Sequence, residues 1–210
     1  MTQHLALIGD SIFDNAPYVD SGEAVIDHIK PLLIGWDVSL VAVDGDTTRD
    51  VLQQHIRIPN NCTHLALSIG GNDALQSVPL LKAPCSNVLD ALDVLAQIQN
   101  DFRVSYRGVL DELLSLQRPL IVCTIYEEVP GLGDNLKTAL SLFNEVILSE
   151  ASRAQLPILD LRHLCREPTD FSPLSPIEPS SIGGQKIASA AARIVSQWNT
   201  VNTIGRLYVQ

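Results

Sequence analysis

An α/β fold, with a parallel sheet covered by helices on both faces, is what this sequence predicts, and two observations carry the prediction. Short apolar runs alternate with helix-length amphipathic segments along the chain; parallel strands need such crossovers, which then cover the sheet. The apolar runs also end abruptly in Gly, Asp, Asn or Ser. Leu7-Ile8-Gly9-Asp10-Ser11 and Ile69-Gly70-Gly71-Asn72-Asp73 are the clearest cases, each reading as a buried strand that turns out at the open edge of a sheet. The expected architecture is a three-layer α/β/α sandwich around a five-stranded parallel sheet.

Strands are expected at residues 4–9, 37–43, 64–69, 120–124 and 157–161, mostly rich in Leu, Ile and Val. Helical patterns fill 24–33, 47–55, 87–116 and 135–155, with another at 182–198 after the last strand. In the long third segment Val88, Leu92, Leu95, Ile98, Phe102, Val109, Leu113 and Leu116 recur at three, four or seven residues, an apolar stripe on one helix or a broken pair. Gly108 marks the candidate break. The least regular stretch, 166–184, is rich in proline, which excludes helix, and in serine, which caps helices; it reads as a loop leading into the last helix.

At 210 residues and 46% hydrophobic, the chain can bury a full core, and no linker-like stretch divides it, so one domain over 1–210 is expected. A formal net charge of -10 without a Lys/Arg cluster argues against nucleic acid or an anionic membrane as partner. Small neutral substrates remain. Cys62, Cys85, Cys123 and Cys165 form no CxxC or CxxH pair, so neither a zinc site nor a thioredoxin-like motif is indicated, and reduced thiols are expected. The first strand begins near His4, which leaves no room for a signal peptide, and no run approaches the ~18 apolar residues of a membrane span. A cytoplasmic protein is the expectation. Oligomeric state has no readable code.

Gly9-Asp10-Ser11 and Gly71-Asn72-Asp73, each taken alone, read equally as turn chemistry. Their combination points further. With Val41-Ala42-Val43-Asp44-Gly45 between them, three successive strands end in groups suited to acyl transfer, which needs a hydroxyl nucleophile, oxyanion donors and a base. Ser11 would be the nucleophile. The donors would be the backbone N–H groups of Ser11 and Gly45 and the side-chain amide of Asn72, because a glycine lets substrate approach the chain and an amide donates without titrating. Asp10, Asp44, Asp46 and Asp73 read as strand-end turn formers, not as ligands of a hard cation.

This arrangement resembles the SGNH hydrolases, also called GDSL esterases and lipases. The resemblance rests on Gly9-Asp10-Ser11-Ile12, Asp44-Gly45 and Gly70-Gly71-Asn72-Asp73, with weaker echoes at Thr124-Ile125-Tyr126 and Phe143-Asn144. It implies a flavodoxin-like sandwich and hydrolysis of small esters or related acyl bonds through an acyl-serine. It implies Ser11 as nucleophile, Gly45 and Asn72 as oxyanion donors, Asp10 and Asp73 as loop holders, and no cofactor or metal.

The fourth block departs from the family. Where SGNH enzymes usually carry Asp-x-x-His-Pro before the final helix, this chain has Ser175-Pro176-Ile177-Glu178-Pro179, followed by Gly183 and Gly184. Glu178 stands in the place of the histidine and Ser175 in that of its orienting aspartate. Three readings are open. Glu178 is itself the base, if burial by Pro176, Ile177 and Pro179 raises its pKa against the opposing dipole of the following helix. Alternatively Asp160 and His163 supply orienter and base from another loop. In the third reading the protein is a catalytically silent relative that binds a small acyl or carbohydrate ligand. The candidate site is Ser11, Gly45, Asn72 and Glu178, and its walls are expected from the loops at 13–22, 76–85 and 126–134.

Overall fold

The structure, a computed structural model, describes residues 2–19, 22–197 and 207–208. The expected strands form β1 (Gln3–Gly9), β2 (Trp36–Leu40), β3 (His64–Ser68), β4 (Leu120–Cys123) and β5 (Ile158–Leu159). A two-residue strand, β6 (Leu207–Tyr208), which the sequence pattern does not announce, pairs with β5. All pairings are parallel, in the order β2-β1-β3-β4-β5-β6. The chain first adds β2 on one side of β1 and then β3 on the other. The switch in direction therefore falls between β1 and β3, where Gly9 stands opposite Ser68 and a crevice opens beyond the strand ends.

The helices are α1 (Val25–Leu32), α2 (Thr48–Gln54), α3 (Gly71–Leu81), α4 (Val88–Ser115), α5 (Asp134–Arg153), α6 (Leu161–Leu164) and α7 (Ser181–Ser196). Successive strand residues point to opposite faces of the sheet. Leu5 and Leu7 of β1 join a core with Val25 and Ile29 of α1 and Ile187, Ala191 and Ile194 of α7. Ala6 and Ile8 join the other core, with Val51 of α2, Tyr106 and Leu110 of α4, and Val146 and Ile147 of α5. Each fully buried Leu or Ile in these layers contributes about 1.5–3 kcal/mol of transfer free energy.

Four local expectations are corrected. Gly108 does not break α4, which runs unbroken through it; no atom lies within 4 Å of the place a Cβ would take, so the position faces open space, and packing of Tyr106, Val109, Leu110 and Leu113 holds the helix together. Residues 71–81, expected as a turn and the start of a loop, form α3. Strand β2 ends at Leu40, although Val41, Ala42 and Val43 still donate main-chain hydrogen bonds to Leu7 and Gly9. Strand β5 is shorter than expected because Asp160 caps α6 and turns the chain at Leu161. The last helix is described to Gln197, its C-cap; Trp198, and Asp20 and Ser21 of the 13–22 loop, lie outside the described residues. All four cysteines are free, and three of them are buried. No described helix is long and apolar enough to cross a membrane.

Candidate active site

At the end of β1 the chain turns so sharply that only glycine fits. Gly9 has φ +127°, and a Cβ there would lie 1.7 Å from the Ser68 carbonyl oxygen. Asp10 N–H donates to Ser68 O at 3.1 Å, and Phe13 and Asp14 N–H donate back to Asp10 O, which winds residues 11–13 into a tight turn. The Asp10 carboxylate accepts from Ile12 N–H at 3.2 Å. Gln54, fully buried on α2, clamps the same strand end. Its carbonyl accepts from Gly9 N–H at 2.9 Å, and its amide donates to Gly9 O at 2.6 Å and to Asp46 Oδ2 at 2.7 Å. Ser11 is thereby held on a braced turn, 6% exposed, facing a cavity.

The segment carrying Glu178 is an ordered loop with its own anchors. Asp170 accepts from Arg166 and Glu167 N–H and pairs with Lys186 of α7 at 2.6 Å. Phe171 and Pro179 form an antiparallel bridge, within which Ser172 N–H donates to Glu178 O. Glu178 N–H donates to Ser175 O at 2.9 Å, so Ser175 closes a turn through its main chain. The Tyr126 hydroxyl donates to Ile177 O, and buried Asn15 joins the loop to α1, donating to Pro179 O at 3.1 Å and accepting from Val25 N–H at 2.9 Å.

These anchors press the Glu178 side chain inward, where it is 4% exposed and lines the same cavity as Ser11. Burial pushes the Glu178 carboxyl up to about 7; the negative charge of Asp44 adds to this and Ser11 opposes it. Its Oε2 is buried without a partner. Asp10 is also raised well above the usual carboxylate range, first by burial, against the Ile12 N–H bond, and then by the charges of Glu178 and Asp73.

Asn72 lies in the first turn of α3 and lines the cavity, its amide donating to Asp46 O at 3.0 Å. Asp73, one residue on, accepts from Thr48 N–H and Oγ1 and ties α3 to the start of α2. Gly45 has φ +85° on an exposed turn with no atom within 4 Å of the place a Cβ would take. It is not among the cavity-lining residues, but its neighbour Asp46 is the group that Asn72 holds, so the glycine turn adjoins the asparagine. Ser11, Asn72 and Glu178 thus converge on one cavity, with Gly45 beside it.

His163 takes no part in that convergence. It is exposed on α6 and absent from the cavity wall, and its Nε2 is 3.9 Å from Asp160 Oδ2. Asp160 is already engaged by Arg162 at 2.6 and 2.8 Å and by Thr124 Oγ1 at 2.8 Å. Burial opposes its charge, but these bonds outweigh burial and lower its pKa. Among the described residues, no histidine, lysine or arginine lines the cavity.

The cavity, about 130 Å³, extends from Ser11 between α3, α4 and α5 and is walled mainly by apolar side chains. Its walls are chiefly helical, which corrects the expectation that loops supply them; of the expected loops, Tyr126, Val129 and Leu132 contribute. Ser77, Val78 and Leu81, expected in a loop, contribute from α3. Gln54 and Asn15 were not singled out by the sequence. A polar residue on an otherwise core-facing helix position was the only signal for Gln54. Asn144, a weak echo in the sequence, bonds both the N–H and the carbonyl of Ile125 at 2.8 Å and fixes the segment that carries Tyr126.

A flavodoxin-ordered α/β/α sandwich with serine, glycine and asparagine at three successive strand ends defines a class of acyl-transferring hydrolase folds. The chain belongs to the GDSL-like Lipase/Acylhydrolase family, whose model matches residues 7–183. Among solved structures it is similar to the lipase Lip_vut3 from a goat rumen metagenome, with 16% identity, TM-score 0.71, 96% of this chain and 100% of that chain covered. It is similar to an extracellular lipase from Streptomyces rimosus, with 17% identity, TM-score 0.64 and coverage of 94% and 100%. It is also similar to the W215I form of Axe2, an acetyl xylan esterase from Geobacillus stearothermophilus, with 16% identity, TM-score 0.63 and coverage of 91% and 93%. At these identities the likeness is one of fold. No curated protein sequence matches the chain.

Proposed function

We propose that this protein hydrolyses small, neutral carboxylic esters through an acyl-Ser11 intermediate, with Glu178 as an unconventional base. One observation carries the reading: the Glu178 carboxyl is buried in the cavity that Ser11 lines, where burial pushes its pKa up to about 7. A carboxylate of ordinary pKa is a weak base at neutral pH. One near 7 combines a large ionised fraction with useful basicity.

In the first half-reaction Ser11 Oγ bonds to the ester carbonyl carbon and its proton passes to Glu178. Charge develops on the carbonyl oxygen, which Asn72 and the N–H groups of Ser11 and Gly45 stabilise. Collapse breaks the bond to the alkoxy oxygen, which takes the proton from Glu178 and leaves as alcohol. Water then attacks the acyl-serine, gives a proton to Glu178, and Ser11 regains it as the acid departs. With Asp44 and Glu178 around the site and no cation in the cavity wall among the described residues, the field favours a neutral ester and repels the carboxylate product.

Labelling with an activated alkyl phosphonate followed by mass spectrometry tests the nucleophile. Modification at Ser11, lost in Ser11→Ala, is expected; modification elsewhere, or none under conditions that label an ordinary esterase, overturns the assignment. The second reading, a silent relative that binds a small ligand, is favoured by the absence of a histidine and an aspartate from the fourth block. It requires wild-type protein to bind esters without turning them over.

A further inference from the structure

We infer that the cavity between α3, α4 and α5 is an acyl-chain pocket that selects esters of unbranched acids of about six carbons, and that the alcohol portion stays outside it. This rests on the proposed esterase reading of Ser11 and assigns the substrate class of that site. The cavity begins at Ser11, Asn72 and Glu178 and continues as an apolar surface through Val78 and Leu81 of α3, Leu95 and Ile98 of α4, and Leu140 and Phe143 of α5.

Two features separate an acyl pocket from an alcohol pocket. The acyl group remains attached to Ser11 after the alcohol has gone, so an apolar cleft contiguous with Ser11 suits the part that stays. Asn72 stands at the first turn of α3 and the wall continues down that same helix through Ala74, Leu75, Val78 and Leu81. A carbonyl oxygen held at Asn72 therefore directs its alkyl substituent along α3.

Size sets the chain length. An apolar cavity of about 150 Å³ takes up benzene, and this one, about 130 Å³, has room for a chain of about six carbons. Each methylene moved from water into such a wall strengthens binding about fourfold until the pocket is full. Acetyl esters leave most of it empty.

The test is a chain-length series read on both sides of the ester. With p-nitrophenyl esters from acetate to dodecanoate, kcat/KM is expected to rise about fourfold per methylene to about C6–C8 and to stop rising there. With acetate esters of ethanol to octanol it is expected to stay within about threefold. Ala139, a small wall residue on α5, provides a plug: Ala139→Phe is expected to lower the hexanoate-to-acetate ratio of kcat/KM by about tenfold. A dependence on alcohol length with none on acyl length overturns the inference. Binding to Ser11→Ala, measured by calorimetry, separates this from the catalytic reading. Hexanamide is expected to bind about 200-fold more tightly than acetamide whether or not the wild-type protein turns over esters. Equal binding of the two amides overturns the pocket assignment, whereas tight hexanamide binding by a protein that hydrolyses no ester leaves the pocket standing and overturns the esterase proposal alone.

Discussion

Tyr126 donates its buried hydroxyl to the main-chain carbonyl of Ile177, the residue immediately before Glu178, and so joins the end of β4 to the loop that carries the proposed base. The ring packs edge-on against Phe171 of the same loop, at 5.0 Å between centroids. Removing the hydroxyl keeps the ring and frees the loop. Tyr126→Phe is expected to lower kcat several-fold with KM nearly unchanged, at a stability cost of about 1 kcal/mol. Steady-state kinetics beside urea unfolding check it; an unchanged kcat with the same loss of stability would leave the contact purely structural.

Gln54 satisfies both main-chain groups of Gly9 from within the core. Gln54→Leu keeps the volume and strands the buried Gly9 N–H, while Gly9 O keeps the Val43 N–H, so a loss of about 1–3 kcal/mol is expected in urea unfolding. The serine turn should loosen with it. A loss below about 0.5 kcal/mol would show that water replaces the clamp.

Asn72→Ala is expected to lower kcat on an activated ester by about 10²–10³ with little change in KM, since its amide would bind most strongly as the oxyanion forms. The amide also holds Asp46 O, so thermal unfolding must be measured alongside. Native stability with wild-type kcat removes Asn72 from the oxyanion site.

A base kept near neutrality by burial destabilises the fold, and the sign is specific. Glu178 has a folded pKa of about 7 against 4.5 when unperturbed, so between these values the unfolded chain releases a proton that the native state retains. Stability therefore falls as pH rises from about 4.5 to 7, by about 3 kcal/mol in full. Glu178→Gln escapes this cost. Its Tm is expected to match wild type near pH 4 and exceed it by about 4–12 °C at pH 8, as scanning calorimetry would show. A variant less stable than wild type at pH 8 would mean that the carboxylate is well solvated in the native state.

Much of this fold can be read from local pattern. The interior strands are buried on both faces, so β1 and β3 appear as plain apolar runs, and α4 and α5 carry stripes that match their packed sides. Helix α3 was hidden because Gly70-Gly71-Asn72-Asp73 carries strong turn chemistry and Pro79 interrupts the pattern. Gly70 with φ +121° instead starts a helix, and Ala74, Val78 and Leu81 at spacings of four and three were the signal. Positions of Ser11, Asn72 and Glu178 were legible as strand-end and fourth-block residues. The burial of Glu178 was only conditional in the sequence, because the groups that press it inward, Tyr126 and Asn15, lie 52 and 163 residues away. The apolar cavity was illegible for a similar reason: its wall is drawn from three helices, and no single segment encodes it.

The most direct measurement is kcat/KM against pH, from 5 to 9, on p-nitrophenyl hexanoate for wild type and Glu178→Gln. For a Ser11 nucleophile served by a Glu178 base, wild-type kcat/KM rises with pH through one ionisation near 7 and then levels, while Glu178→Gln falls by about 10² or more and loses that ionisation. A Glu178→Gln protein that keeps both the wild-type rate and the wild-type profile would contradict the assignment of Glu178 as the base.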